Sequence, residues 1–262
     1  MDLVTSYKQF LSLCFPQCLP GYERRLASAP DSARSEAAIY WYLDFLGYQI
    51  EPEDPSHGGP DFQCSLAGKL VLVVEVASLE DSTVVGHAGF DPAKKIGQFV
   101  VPVCDVVLGR MQSKVQQLKG HPCPRILALT GSHVLAHLVM LGDAVEEILV
   151  GELEQLVDPV SRVSRTGTRF RNSVFLQQRG GAPQPCRQYA SGLLLCHVSG
   201  RSLELAGVRH PEPAMPADLS GVFPDVPFVE LARWPVAQSP LTIHWRRCGA
   251  AIPGSTRRIP YP

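Results

Sequence analysis

Two acidic residues lie close together in a predicted hairpin, where a carboxylate needs a partner. Asp61 opens the first strand after Gly58-Gly59-Pro60, and Glu75 interrupts the second, an otherwise apolar run from Leu70 to Ala77. A strand that is apolar on both faces is covered on both faces, and an ionised carboxylate buried there without a partner costs several kcal/mol. Two carboxylates can share a divalent cation, and water and substrate phosphate complete the shell of Mg²⁺. The pair therefore predicts a site for Mg²⁺ or Mn²⁺.

A third acid, Glu36, is predicted to point toward the same pair. It shares one helical face with Ile39 and Leu43, and that face must pack on the sheet that carries the hairpin. Inward acids on one helix and two strands are the pattern of a metal site. Each acid also has an ordinary alternative: a turn residue for Asp61, a salt bridge to a core cation for Glu75, and a first-turn acid that complements the helix dipole for Glu36.

The elements that must position these acids follow from the spacing of apolar residues. A helix is predicted from Asp31-Ser32, which can cap it, to Leu46, where Gly47 ends it. Alternation predicts the hairpin strands as Asp61–Leu66 and Leu70–Ala77. Further predicted strands are Tyr48–Ile50, Arg125–Thr130, Ser173–Gln177, Gly192–His197 and Ser202–Ala206. Further predicted helices are Arg110–Leu118, His133–Leu141 and Asp143–Val150.

The stretch before Arg110 allows two assignments. A helix is expected to start near Asp91-Pro92, and Pro102 then either interrupts it or precedes a short strand, Val103–Leu108. In both cases helices and strands alternate with short loops. This pattern predicts an α/β or α+β fold in which helices cover a mixed sheet.

We divide the chain into three regions from its composition and periodicity. Residues 1–30 are an N-terminal extension, and residues 31–150 form the core. Residues 151–262 are rich in arginine and proline, and they either pad the core or form a small β-rich domain.

The order of these features resembles the PD-(D/E)XK nuclease superfamily, which has the restriction-endonuclease-like fold. The resemblance rests on Glu36 in a helix, on Asp61 after a proline at the start of a hairpin, and on Glu75 in its second strand. It covers about residues 32–130. It implies an αβββαβ core and Mg²⁺-dependent hydrolysis of DNA phosphodiester bonds in restriction, repair or recombination. It also implies metal ligation by Asp61, Glu75 and the carbonyl oxygen of Val76.

One position departs from the family pattern. The family's lysine would stand at position 77, on the same face as Glu75, and this chain has Ala77 there. Alanine can neither orient the attacking water nor stabilise the charge that develops on the phosphate. Two interpretations follow. Either a lysine from a neighbouring element replaces the missing one, or the site is catalytically degenerate and the fold binds nucleic acid or acts as a scaffold.

Lys114 is the leading candidate for a relocated lysine. It precedes Gln117 by one turn of the predicted helix, so both polar side chains project to one side. Lys94 and Lys95 are weaker candidates. In an active site of the implied kind, Lys114 offsets charge at the scissile phosphate and Gln117 orients water or backbone. Glu36 acts there from the outer shell or binds a second ion.

The formal net charge of −1 conceals a segregation of charges along the chain. No acidic residue lies between Arg162 and Arg201, and arginine-rich segments of this kind are expected of a phosphate-backbone binder. Our candidates for contacts with nucleic acid are Arg162, Arg165, Arg169 and Arg171. A solvated surface of mixed charge is the alternative. We expect DNA as the partner, leave RNA open, and expect a homodimer if both strands are cut.

Several protein classes are disfavoured by what the sequence lacks. No apolar run approaches the roughly 18 residues of a membrane span, and the N-terminal residues lack the features of a signal peptide. The eight cysteines show no C-x-x-C spacing, and we expect reduced thiols in a cytoplasmic protein. Neither a G-x-x-x-x-G-K-[ST] phosphate loop nor a G-x-S-x-G nucleophile motif is present.

Overall fold

The fold is described here from a computed structural model of the chain. Full descriptions cover residues 2–53, 59–79, 104–132, 173–199 and 202–232, with the single residues 145, 148, 149 and 161. The backbone alone is described for residues 100–103, 152–157, 164–169, 233, 244–248 and 257–260.

Helices occupy the N-terminal part of the chain, and strands dominate the rest. The helices are α1 (Leu3–Cys14), α2 (Leu19–Ser28), α3 (Pro30–Phe45), α4 (Val100–Lys114) and the short α5 (Leu219–Val222); a 3₁₀ helix, Val115–Leu118, continues α4. The strands are β1 (Gln49–Pro52), β2 (Phe62–Leu66), β3 (Lys69–Ser78), β4 (Arg125–Gly131), β5 (Glu152–Val157), β6 (Ser164–Arg169), β7 (Leu176–Arg179), β8 (Ala182–Pro185), β9 (Gly192–Ser199), β10 (Ser202–Arg209), β11 (Phe228–Arg233), β12 (His244–Cys248) and β13 (Arg257–Pro260). None of the helices in the described part of the chain is long and apolar enough to cross a membrane.

Nine of the described strands form one mixed sheet. Its order is β1-β2-β3-β4-β9-β10-β11-β12, and β13 pairs with β10. The strands β1, β2 and β3 are antiparallel neighbours, whereas β3, β4 and β9 run parallel. Strands from the C-terminal third of the chain thus enter the sheet beside β4. With helices on the sheet, this is the mixed α/β fold that the alternation of elements predicts.

Alternation along β3 decides which side of the sheet each of its residues meets. Leu72 and Val74 pack in a core shared with α1, α2 and α3. Val73 and Ala77 pack in a second core, shared with α4. Glu75 falls between Val73 and Ala77 in this alternation, so it belongs to the α4 face. The strand is therefore covered on both sides, as its apolar sequence predicts.

Near the acids, the predicted and observed elements agree closely. The helix α3 and the strands β1, β2, β3 and β4 lie where the apolar pattern predicts them. The strands β9 and β10 extend the two segments predicted there, while the strand predicted from Ser173 begins at Leu176. The predicted helices His133–Leu141 and Asp143–Val150 lie largely outside the described residues.

The strand considered for Val103–Leu108 is wrong, because these residues belong to α4. Pro102 does not interrupt that helix: it is the third residue of α4. Amide groups in a first turn have no partner within the helix, so proline is tolerated there. The predicted helix Arg110–Leu118 corresponds to the end of α4 and the 3₁₀ helix that follows it.

Residues 1–30, for which the apolar pattern predicted no element, contain α1 and α2. Asp2 caps α1 by accepting a hydrogen bond from the backbone N–H of Thr5 at 3.1 Å. Leu3, Tyr7 and Leu11 follow at helical spacing and are buried. Both helices pack on α3. They therefore stand next to the helix that carries Glu36.

Candidate active site

A cavity of about 220 Å³ lies where α2, α3 and α4 meet the ends of β2 and β3. Charged side chains of both signs line it, together with the β3 segment Val76–Ser78. The acids are Glu36, Glu53 and Asp61, and the cations are Arg25, Arg110 and Lys114. The structure thus brings Glu36, Asp61 and Lys114, three of the residues predicted for the site, to one cavity.

Asp61 lies immediately before β2 and is held by the backbone of β3. The sheet register pairs Phe62 with Val74, which brings Asp61 beside Glu75. The Oδ2 atom of Asp61 accepts a hydrogen bond from the backbone N–H of Val76 at 2.6 Å. Burial of its carboxyl group, and then the neighbouring charges of Glu75 and Glu36, raise the pKa of Asp61 well above its usual value. An opposite charge at this point would favour the ionised form.

Glu75 is nearly inaccessible, with 1% of its side chain exposed. The ammonium group of Lys114 donates a hydrogen bond to Oε1 of Glu75 at 2.6 Å. The second oxygen, Oε2, is buried and accepts no hydrogen bond from any described residue. Burial raises the pKa of Glu75, and Lys114 opposes that rise. An oxygen of a buried carboxylate that finds no partner among the described residues is costly in a protein interior.

Lys114 is the last residue of α4 and reaches the sheet from the neighbouring layer. Burial alone would lower the pKa of Lys114, but the hydrogen bond and charge of Glu75 outweigh it, and the pKa is raised. The position of the family's lysine is filled by Ala77, which lines the cavity. The ammonium group is thus supplied to the acidic pair from a helix instead of from β3.

Glu36 differs from Glu75, because both of its oxygens have partners. Arg25 donates from Nη2 to both oxygens at 2.9 Å and from Nε to Oε2 at 3.2 Å. The hydroxyl of the fully buried Tyr7 donates to Oε1 at 2.9 Å. Burial raises the pKa of Glu36, and the charge of Arg25 opposes that rise.

The sequence analysis missed Glu53 and Arg110 of the cavity lining, and it also missed Tyr7 and Arg25. Tyr7 belongs to α1 and Arg25 to α2, and both helices lie outside the segment that carries the family resemblance. A signal was present, since Leu3, Tyr7 and Leu11 are spaced for one face of a helix and Asp2 can cap it. The pairing of Arg25 with Glu36 is a tertiary contact between helices, and no local pattern encodes it.

Of the other predicted site residues with described side chains, Gln117 does not reach the cavity. Gln117 is exposed on the 3₁₀ helix and is not part of the lining. The backbone register pairs Arg165 with Leu156 and Arg169 with Glu152 on the β5–β6 hairpin. Outside the described residues are Lys94, Lys95, Arg162 and Arg171.

The charge balance of the cavity leaves room for a cation. Four carboxyl groups, the three of the lining and Glu75 behind them, face three cationic side chains. If all of these groups are ionised, their net charge is −1, and a bound divalent ion would change it to +1. The raised pKa of Asp61 and the unpartnered Oε2 of Glu75 mark the place where the surplus is concentrated.

Within the described part of the chain, no three His, Cys, Asp or Glu side chains are grouped so as to hold a metal ion. Asp61 and Glu75 nevertheless fit the way in which Mg²⁺ is bound in many enzymes, through one or two carboxylates, water and substrate phosphates. The buried, unpartnered oxygen of Glu75 is the observation that supports this fit.

A second and larger cavity, of about 450 Å³, is lined by Arg209 and His210. Its histidine is fully engaged: Nδ1 accepts from the backbone N–H of Glu212 at 3.0 Å, and Nε2 lies 2.7 Å from the carbonyl oxygen of Cys186. Burial lowers the pKa of His210 to about 4, so the ring is neutral. Arg209 pairs with Glu230 at 3.2 Å. The described polar groups of this cavity thus pair with one another, and the smaller cavity is the candidate site.

No family model matches the chain, and neither a curated protein nor a solved structure is significantly similar to it. The geometry of the site and the order of its elements are therefore what support a function.

Proposed function

We propose that this protein is a nuclease that hydrolyses DNA phosphodiester bonds with Mg²⁺ or Mn²⁺ at the cavity between β2, β3 and α4. The observation that carries the proposal is the pair formed by Asp61, which lines the cavity, and the buried Glu75. The pKa of Asp61 is strongly raised. In Glu75, Oε2 has no partner among the described residues, and Oε1 lies 2.6 Å from the ammonium group of Lys114. A divalent cation offsets both costs, and a substrate phosphate completes its shell.

The order of elements supports the family resemblance. Among the described elements, a helix, three antiparallel strands, a helix and a strand come in the order α3, β1, β2, β3, α4 and β4. The fourth strand lies parallel to the third and next to it. This order is consistent with the αβββαβ core that the resemblance implies. Asp61 directly precedes the second strand, and Glu75 is the seventh of the ten residues of the third.

Asp61 and Glu75, with the carbonyl oxygen of Val76, are the groups that would hold the cation. When bound, such an ion acts as a Lewis acid and makes a water molecule easier to deprotonate. The water oxygen then bonds to phosphorus and loses a proton, while the bond from phosphorus to the leaving oxygen breaks and that oxygen gains a proton. Lys114 opposes the rise in the pKa of Glu75 and lies at the cavity, where its charge stabilises the additional negative charge on the phosphate.

Glu36 has a different part in this proposal. Its oxygens are occupied by Arg25 and Tyr7, so it acts from the outer shell by orienting Arg25 and does not bind a second ion. Gln117 has no part in the proposal, because its side chain is exposed outside the cavity.

A second candidate function is favoured by one observation. Ala77 lines the cavity at the position of the family's lysine, which fits a protein that has lost catalysis and binds nucleic acid or acts as a scaffold. The two candidates differ over Lys114. It completes the active site in the first, and it only neutralises a buried acid in the second.

The decisive experiment is cleavage of supercoiled plasmid and of branched DNA with Mg²⁺ or Mn²⁺. The wild type is compared with Glu75→Ala and Lys114→Ala, and single-stranded RNA is assayed in parallel. Loss of nicking in both variants supports the metal site and the role of Lys114. Loss in Glu75→Ala alone supports the nuclease and removes Lys114 from it. Binding of DNA without cleavage favours the second candidate. The mass of the protein in solution tests the expected homodimer.

A further inference from the structure

Arg25 presents its guanidinium group to the cavity in a fixed orientation. It belongs to α2, outside the elements of the implied nuclease core. Its Nε and Nη2 atoms form a side-on pair with the carboxylate of Glu36, whose second partner is the hydroxyl of Tyr7. A bidentate pair of this kind fixes the plane of the guanidinium as well as its position.

One edge of that guanidinium is left for another ligand. The Nη1 atom of Arg25 donates to no acceptor among the described residues, although Nε and Nη2 both do. The side chain is 46% exposed and lines the cavity together with Arg110 and Lys114. Glu36, by contrast, is almost completely buried behind it. The guanidinium is thus held through Nε and Nη2, and Nη1 is the nitrogen that remains for a ligand.

The chemistry of that edge suits a phosphate group. A planar guanidinium matches the oxygens of phosphate, and arginine is the residue most often used where this geometry matters. The cavity, at about 220 Å³, is many times the roughly 10–15 Å³ that one water needs, so it can admit a phosphate with its waters. Asp61 lines the same cavity, which puts the acidic pair and the Arg25 edge within one space.

We propose that Arg25 binds a phosphate group of the nucleic-acid substrate through Nη1, and that Glu36 and Tyr7 are positioning residues that hold it there. This inference rests on the proposed nuclease function, and it makes α1 and α2 part of the substrate site. It also gives Glu36 a role that differs from metal binding.

Salt dependence of DNA binding tests the contact, because each phosphate neutralised by a cationic side chain adds about 0.9 to the slope of log K against log salt. We would measure binding of a fluorescent DNA duplex over a range of KCl concentrations, with Ca²⁺ in place of Mg²⁺ to slow cleavage. The variants are Arg25→Gln, the double variant Arg25→Gln with Glu36→Gln, and Arg24→Gln as control. Arg24 is an exposed neighbour on the same helix.

The double variant keeps the fold testable. It has the same net charge as the wild type and leaves no buried carboxylate without a partner, so a change in slope cannot come from overall charge or from unfolding. We expect Arg25→Gln and the double variant to lower the slope by about 0.9, while Arg24→Gln leaves it unchanged.

Each outcome separates this inference from the proposed function. An unchanged slope in the double variant, with cleavage by the wild type intact, overturns the phosphate contact and leaves the nuclease standing. A lowered slope in a protein that never cleaves supports the contact and overturns the nuclease. Failure of the wild type to bind DNA overturns both.

Discussion

Two ion pairs face the same cavity, and they differ in how completely the buried carboxylate is bonded. On the helical side, Glu36 has both oxygens engaged by Arg25 and Tyr7. On the sheet side, Glu75 has Lys114 on one oxygen and no described partner on the other. Both acids are buried, so exposure does not explain the difference. Among the described side chains, Glu36 has two donors, Arg25 and Tyr7, and Glu75 has one, Lys114. A further group would therefore complete the bonding of Glu75.

This difference indicates that a bound ligand would complete the bonding of the Glu75 carboxylate and not that of Glu36. A protein that merely tolerated a buried acid at Glu75 would be expected to surround it as it surrounds Glu36, since leaving a charged group half-bonded is costly. Asp61 adds to the cost, because its pKa is raised by burial and by the neighbouring charges of Glu75 and Glu36. The sheet side therefore carries the reaction in our account, and the helical side holds its framework.

The largest effect is expected from Glu75→Gln, which keeps the shape of the side chain and removes its charge. DNA cleavage should fall by roughly 10³-fold or more, because a ligand of the cation is lost at the reacting phosphate. The melting temperature should fall only slightly, since the ammonium group of Lys114 loses its charged partner but is 34% exposed and can be solvated. Glu51→Gln, at an exposed position on β1, is the matched control. Cleavage within tenfold of the wild type would contradict the assignment.

Lys114→Met is expected to lower cleavage by roughly 10²-fold, because one charge near the phosphate is lost. It should also lower the free energy of unfolding by about 2–3 kcal/mol, toward the low end for a buried pair, since 34% of the Lys114 side chain is exposed. Adding Glu75→Gln should restore stability without restoring cleavage. Denaturant unfolding and plasmid nicking measure the two effects. If the double variant is no more stable than Lys114→Met, the ion pair is not the cause.

Tyr7→Phe tests the bonding of Glu36 on the helical side of the cavity. It removes the hydroxyl that donates to Glu36, and a hydrogen bond to a charged group contributes about 1.5–3 kcal/mol. We expect that loss in the free energy of unfolding, with cleavage changed less than threefold because Arg25 still holds Glu36. Tyr40→Phe is the control, since no described residue bonds its hydroxyl. A collapse of cleavage in a folded Tyr7→Phe protein would place Tyr7 in the reaction itself.

The smallest expected effect is a pH dependence of stability in the metal-free protein. The pKa values of Asp61 and Glu75 are raised in the folded chain from their ordinary 3.8 and 4.5. Above those values the folded state binds more protons than the unfolded state, so stability falls as pH rises toward the raised pKa values. We expect the melting temperature to fall by a few degrees over that window, and Mg²⁺ to restore it most at the higher pH. Asp61→Asn should flatten the profile. A flat profile in the wild type would contradict the raised pKa values of Asp61 and Glu75.

The sequence predicted the half of the site that lies on regular elements. Glu75 stood out because it interrupts a strand that is apolar on both faces, Asp61 because it follows a proline at the start of the neighbouring strand, and Lys114 because it belongs to the next helix. The other half is not encoded locally. Arg25 meets Glu36 only after α2 packs on α3, and the strand considered at Val103–Leu108 was wrong because proline in a first helical turn reads like a helix breaker. Gln117 lies on the 3₁₀ helix that continues α4, and its side chain is exposed outside the cavity lining, which the spacing from Lys114 did not predict.

In our account, Asp61 and Glu75 on the sheet side of the cavity bind a divalent cation, and Glu36 does not. Calorimetric titration of Mn²⁺ into chelator-treated protein, with and without a DNA duplex, tests it directly. We predict one ion per chain in the wild type and in Glu36→Gln, and none in Asp61→Asn or Glu75→Gln. Binding that survives in both sheet-side variants but disappears in Glu36→Gln would contradict the account, as would an absence of binding by the wild type in the presence of DNA.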